Sequence, residues 1–337
     1  MSKKIPLAPW IMVGAIMLGW FGLAVAADGG DPPAPIPVSF TSQGLRLVGD
    51  LYLPNPDGQH PAIVFTHGSG GSGRDNRRHV AEANYYARHG IVSLVFDKRG
   101  YGESEGDWRS ATFEDLAQDA LAAVSFLKVR PEVDPGRIGL RGASQAGWVL
   151  PIAAARSEDV AHIIMISPAG VTPYEQIMFG VRTDLEDAGY PPKEVNRALA
   201  VLRSGLEYGR TGEGWERHAR MLNATADKPW FDIAAGPPVA DHWMWNWFRQ
   251  VADFDSVPVV ASIATPVLLL LGEQDRVCPW QIAGYRFGKA LEQRNTGSFL
   301  VRYFPDANHD LEVIDDSGKE ALASGYLDTV VEWIHSQ

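Results

Sequence analysis

A single cysteine, Cys278, is present in 337 residues. One thiol excludes an intrachain disulfide framework and any zinc site built from several cysteines. Basic residues are also in deficit, with 30 Lys and Arg against 41 Asp and Glu and a net charge of −11. A general nucleic-acid binder needs the opposite balance to displace counterions from phosphates, so that class is excluded. No internal repeat occurs, and the composition is not that of a disordered, collagen-like or multi-span membrane chain. What the chain does hold is tryptophan, eleven in all, and enough length for one large domain or two smaller ones.

Residues 1–26 read as an export signal. Lys3 and Lys4 make a positive start, an uninterrupted apolar run follows from Trp10 to Val25, and Ala24-Val25-Ala26 is a small-x-small cleavage site with the cut expected before Ala27. The competing reading is an uncleaved membrane anchor, because Ile5 to Ala26 nearly spans a bilayer. Pro6, Pro9 and the cleavage-like end favour the signal, and the absence of a nearby Cys excludes lipoprotein anchoring. Cleavage leaves 28 basic against 41 acidic residues. Residues 27–37, rich in Gly and Pro, read as a tether. Export without disulfides points to the bacterial periplasm or to secretion.

The body alternates strands and helices. Val38–Phe40 and Leu45–Leu53 read as short strands that could form a hairpin. Further strands are expected at Ala62–Thr66, Ile91–Phe96, Ile138–Arg141, Ala161–Ile166, Pro266–Leu271 and Ser298–Phe304. Between them lie helical patterns near His79–Arg88, Phe113–Val129, Gln145–Ala155 and Gln281–Gln293, with a last one within Lys319–Ile334. Apolar strands without alternation, each followed by a helix, imply a parallel sheet covered on both faces. The expected class is therefore α/β, a doubly wound and mostly parallel sheet with an antiparallel start. The sheet would be built from residues 38–170 and 256–337. Residues 171–255 carry helical patterning without a strand and are too long for a bare loop, which predicts an inserted helical lid. Five of the nine Trp left after signal removal fall there: Trp215, Trp230, Trp243, Trp245 and Trp247. They either pack the insert onto the sheet or wall an acyl or aryl pocket, with Trp148, Trp243 and Trp247 as the pocket candidates.

Four segments at strand ends carry chemistry. Gly142-Ala143-Ser144-Gln145-Ala146-Gly147 joins a strand to a helix as the nucleophile elbow G-x-S-x-G does, with Ala in the final Gly position. The elbow exposes the Ser144 hydroxyl on a strained turn, and residues two before and two after must be tiny. Gly142 and Ala146 meet that demand; the plainer reading of Ser144 is a helix N-cap. His67-Gly68-Ser69-Gly70-Gly71 follows the first central strand and can turn amides toward the nucleophile. The Ser69 and Gln145 amides are the oxyanion candidates, with His67 and Gly68 as supporting residues. A phosphate loop is the rival there, but the Lys that a P-loop requires is missing. Asp275 lies just past Pro266–Leu271, where a carboxylate could orient a histidine, with Glu273 as its rival. His309 follows the last strand. The order Ser144, Asp275, His309 is the nucleophile, acid, base order of hydrolases on α/β sheets.

With HGSGG, FDKRGYGES, GASQAG, GEQDRVCP and PDANHD in place, the chain from about Val38 to His335 resembles the α/β-hydrolase superfamily, and within it lid-bearing bacterial esterases and serine aminopeptidase-like hydrolases. The resemblance implies a Ser-His-Asp hydrolase acting on esters, or on amides or thioesters. It departs from the pattern at Ala146. Asp97 and Arg99 read as braces of the loop near the site, and Cys278 as packing. The expected function is an exported carboxylesterase forming an acyl-enzyme on Ser144, with activity falling as pH drops through the ordinary histidine range near 6.5. An aminopeptidase would use the same triad plus acids of the insert, with Glu175, Asp184, Glu186 and Asp187 as candidates. A non-catalytic binding module is the remaining alternative. No cofactor and no metal are expected, and the partner is a small-molecule ester. Neither nucleic acid nor, once the signal is cleaved, a stable membrane attachment is expected, and the oligomeric state is open.

Overall fold

The computed structural model describes residues 34–54, 58–294, 296–314 and 318–337. The export segment expected at residues 1–26 lies outside them. Among the described residues no helix is long and apolar enough to cross a membrane.

Strands β1 (Ile36–Ser42) and β2 (Leu45–Tyr52) form an antiparallel hairpin. Its two-residue turn, Gln43-Gly44, has positive φ at both positions (50° and 83°), the conformation that matches strand twist. Ile36 and Pro37 pair with Leu51 and Asp50, so the strand takes in the last two residues assigned to the tether. Then come β3 (His60–Phe65), α1 (Arg77–Arg88), β4 (Val92–Phe96), α2 (Phe113–Lys128), β5 (Val133–Ala143), α3 (Ala146–Arg156) and β6 (His162–Ile166). β5 starts five residues earlier than expected because Val133 pairs with His60 across a register shift in β3.

Between β6 and the next sheet strand the chain is helical: α4 (Pro173–Asp187), α5 (Pro192–Thr211), α6 (Trp215–Thr225), α7 (Phe231–Ala234), α8 (Trp243–Val251) and α9 (Val257–Ser262). A Thr172–Glu175 capping box with Pro173 at the first turn starts α4, and Gly212 at φ 80° ends α5. These helices share a core of their own that includes Leu185, Leu199, Leu202, Trp230 and Phe248. The chain finishes with β7 (Val267–Gly272), α10 (Trp280–Glu292), β8 (Phe299–Phe304), a small hairpin of β9 (Glu312–Ile314) and β10 (Glu320–Leu322), and α11 (Tyr326–Ser336). The β9–β10 hairpin corrects the sequence expectation, which places only a helix within residues 319–334. Strands of three residues leave no periodicity to read.

The main sheet has eight strands in the order β1-β2-β4-β3-β5-β6-β7-β8, antiparallel up to β4 and parallel from there on. Successive residues of β3 enter different cores. Ala62 and Val64 join the one that holds residues of α2, α3 and α10, while Ile63 and Phe65 join the one with residues of α1 and α11. Both faces are dry, so the central strands read as unbroken apolar runs. This is the doubly wound α/β-hydrolase arrangement. The carboxyl ends of β3, β4, β5 and β7 open onto one edge, beneath the helices between β6 and β7, and that edge is where such sheets place ligands.

Candidate active site

Ser144 occupies the turn between β5 and α3 with φ 55°, a left-handed conformation that a side chain rarely adopts. The turn is held by the Ser144 amide donating to the Ile166 carbonyl (2.9 Å) and the Gly147 amide donating to the Ser144 carbonyl (2.8 Å). A Cβ on Gly142 would lie 2.2 Å from Thr66 Oγ1 and 2.4 Å from Ala146 Cβ. The departure at Ala146 is thus tolerated because its opposite number is a bare glycine. Gly147 has the same role against Pro168, whose Cβ would be 2.4 Å away.

Asp275 is buried in the turn after β7, and its two oxygens have separate tasks. Oδ1 accepts the Val277 and Cys278 amides, each at 2.8 Å, and Oδ2 lies 2.8 Å from His309 Nδ1. It is this carboxylate, rather than that of Glu273, that meets the histidine. His309 rides on a loop pinned by Asn308, whose Oδ1 accepts the Asp310 and Glu312 amides. The loop passes so close to β7 that a Cβ on Gly272 would fall 2.3 Å from the Asn308 carbonyl oxygen. Burial pulls the His309 imidazole toward the neutral form, but the Asp275 carboxylate outweighs it and holds the ring well above its usual value. The acid limb expected near 6.5 therefore moves upward. Cys278 is buried beside this pair, and burial pushes its thiol up, keeping it protonated. The expectation of no metal rested on spacing along the chain. Folding brings ligand-type atoms of Asp275, Cys278 and His309 within 4.8 Å of one another, although Asp275 and His309 already bond to each other.

Ser69 and Gln145 line the cavity that holds Ser144 and His309. Among the described residues neither of their amides donates to a protein acceptor. Gln145 is the residue before α3, where the helix dipole favours negative charge. His67 faces away from this work. Its Nε2 is 2.6 Å from the Phe96 carbonyl, its ring meets the Phe96 ring edge-on, and burial and Lys98 push it down to about 3. Gly68 brings the loop against the elbow, with Ser144 Cβ 4.0 Å from where its own Cβ would be. Asp97 and Arg99 brace the neighbouring turn as expected. Asp97 accepts from the Arg74 and Glu103 amides, and Arg99 pairs with the buried Asp119 at 2.7 Å.

The cavity measures about 470 Å³. Trp148, Trp243 and Trp247 line it, together with Trp108 and Trp245. Trp148 stacks on Phe113 at 5.2 Å and donates to the Val171 carbonyl, and Trp247 donates to that of Ala111. The other two Trp of the insert pack. Trp230 is buried against Glu194, and Trp215 lies on Tyr208 and His218. Of the four acids considered for an amine, Glu175 caps α4, Glu186 pairs with Arg182 and Asp187 with Arg276. Asp184 alone lines the cavity, its carboxyl raised by burial and by Asp187. Sequence reasoning missed Trp108 and Lys98, and left Trp245 between packing and the pocket wall. The Lys98 signal was present in FDKRGYGES, as a lysine directly after an apolar strand.

Comparison with known proteins identifies the family and the fold. Residues 43–294 match the X-Pro dipeptidyl-peptidase (S15) family. The thiohydrolase aneE of Aspergillus aculeatus is 28% identical over 285 residues, covering 80% of this chain and 84% of its own. The esterase EstD of Thermotoga maritima is 25% identical over 307 residues, covering 87% of this chain and 66% of its own. Among solved structures, the α/β-hydrolase GrgF of a Penicillium species superposes with a TM-score of 0.57 at 20% identity, over 90% of this chain and 99% of its own, a likeness of fold. The chain is a hydrolase of the α/β-hydrolase fold and belongs to the X-Pro dipeptidyl-peptidase (S15) family.

Proposed function

We propose that this hydrolase cleaves carboxylic esters of small to medium size through an acyl-enzyme on Ser144. The observation that carries the reading is a strained-turn serine sharing one cavity with a histidine whose Nδ1 is held 2.8 Å from a buried carboxylate. His309 takes the Ser144 proton as the hydroxyl attacks the acyl carbon. The Ser69 and Gln145 amides receive the developing oxyanion, and His309 protonates the departing alcohol. Water activated by His309 then releases the acid. Asp275 fixes the imidazole tautomer and stabilises its charged form. The helices of residues 171–255 act as a lid and supply the aromatic wall. A cavity of this size suits acyl groups of a few carbons or one ring. The relatives named as an esterase and a thiohydrolase favour an ester or thioester substrate.

The N-terminal signal pattern supports export to a periplasm or to the medium, with the uncleaved anchor as the alternative. A second reading, amide or peptide cleavage by the same residues, is favoured by one observation. Asp184 places a carboxylate on the cavity wall, where it could meet a substrate ammonium. Parallel assays on p-nitrophenyl esters and aminoacyl-anilides separate the two. The central test is Ser144→Ala with a fluorophosphonate probe. The variant should lose ester hydrolysis by a factor of about 10,000 or more while its melting curve is kept, and the probe should label Ser144 in the wild type. Activity near the wild-type level in that variant would overturn the proposal.

A further inference from the structure

Lys98, two residues past the end of β4, is 2% exposed and lines the same cavity. A buried ammonium is expensive unless its donors are met. Here they are, and by neutral oxygens: the Gly68 carbonyl at 2.8 Å, the Gly70 carbonyl at 3.0 Å and Gln145 Oε1 at 2.8 Å. Three acceptors match the three N–H bonds of the charged form. Burial pulls Lys98 down to about 7, and the three oxygens work against it, because a neutral amine has only two N–H bonds and would aim its lone pair at one of them.

The choice of acceptors ties this ammonium to the reaction centre. The Gly68 carbonyl belongs to the same planar peptide unit as the Ser69 N–H, and in a trans unit the two point in opposite directions. Fixing the carbonyl on Lys98 therefore fixes the direction of the Ser69 amide. A cation on the carbonyl side also polarises that unit and makes its N–H a stronger donor. The Gly70 carbonyl holds the loop one peptide unit beyond Ser69, and the Gln145 side chain ties down the residue that carries the second free amide. One charged group thus reaches both donors from outside the reacting atoms.

We propose that Lys98 is a positioning residue of the oxyanion hole, whose ammonium aims and polarises the Ser69 amide and anchors Gln145. The inference rests on the reading of Ser144 as nucleophile. The hole binds charge that develops in the transition state, so the effect belongs in kcat rather than in KM. A lysine that only holds the fold together would change the melting temperature and leave the kinetics of the folded fraction alone.

The test measures kcat and KM on p-nitrophenyl acetate and the inhibition constant of a trifluoromethyl ketone, whose adduct with the serine is a tetrahedral oxyanion. Active sites are counted by fluorophosphonate titration. Lys98→Met should lower kcat about 100-fold with KM within about twofold, and should weaken the ketone by a similar factor. Gln145→Leu keeps the backbone amide and removes one of the three anchors. It should lower kcat about tenfold, and it decides the matter if Lys98→Met does not fold. Unchanged kcat per active site in Gln145→Leu, or in folded Lys98→Met, overturns the proposal, as does a loss confined to KM. Absence of wild-type labelling at Ser144 would instead overturn the nucleophile reading itself.

Discussion

Asp275 and His309 meet through one carboxylate oxygen only: Oδ2 lies 2.8 Å from His309 Nδ1, while Oδ1 is committed to the Val277 and Cys278 amides. The carboxylate is thereby fixed in rotation and can address the imidazole from one direction. Asp275→Asn would preserve the bonds to Oδ1 but turn an NH₂ group toward Nδ1. The imidazole would then carry its proton on Nε2, the wrong nitrogen for a base facing Ser144. The expected result is a fall in kcat of roughly 10³- to 10⁴-fold with little change in KM. A loss below tenfold would remove Asp275 from the reaction.

The pH dependence follows from the same pair. A general base must be neutral, and His309 is held well above the ordinary histidine value by Asp275 despite its burial. Activity should decline as pH falls through that raised value, so the midpoint of kcat/KM lies above 6.5. The linked stability has the opposite sense. The pair's contribution is complete below the unfolded histidine value and disappears as pH rises through the folded one. A midpoint at or below 6.5 in the wild type would contradict this account.

Four other buried histidines weaken the fold in acid; His79 is one of them, held well below its usual value by burial and by Arg141. Burial lowers His67 and His162 to about 3 and His218 to about 4, so all are neutral in the fold while the unfolded chain protonates them near 6.5. Their stabilisation is present above 6.5 and is lost as pH falls toward 4. Each group costs about 1.4 kcal/mol per pH unit in that window, roughly 4 kcal/mol for the last three together. Urea unfolding at pH 7 and pH 5.5 should differ by a few kcal/mol, with the lower pH less stable. Equal stabilities would show that these rings find solvent or partners on protonation.

Gly142 tests the elbow. A methyl there would meet Thr66 Oγ1 and Ala146 Cβ at 2.2 and 2.4 Å. Gly142→Ala should destabilise by about 1–3 kcal/mol as the strand and helix are forced apart, and should displace Ser144. The drop in melting temperature should accompany a drop in kcat. A stable and fully active variant would mean that the turn has slack.

The aromatic wall predicts specificity. Trp243 meets Trp108 edge-to-face at 5.5 Å on the cavity surface. Trp243→Ala should raise KM for aryl or longer acyl esters by about tenfold while leaving p-nitrophenyl acetate nearly unchanged. Equal effects on both substrates would place the acyl group elsewhere.

The sequence by itself determined the sheet order class, the four chemistry-bearing strand ends and the small residues around Ser144. Each of these is encoded locally: an apolar run that pairs on both sides, a glycine where backbones cross, a polar turn after a strand. It also separated core from insert, because 85 residues without a strand cannot be a loop in a compact domain. Tertiary structure decided what depends on distant residues meeting. It chose Asp275 over Glu273, three of the five insert Trp for the cavity, and Asp184 from among four acids. It placed Lys98 behind the Ser69 amide, because a lysine after a strand acquires meaning only when two loops 30 and 47 residues away close around its ammonium. It also set the Cys278 thiol within 4.8 Å of the Asp275–His309 pair and raised it by burial, since burial and proximity, which set proton affinities, are properties of the folded chain.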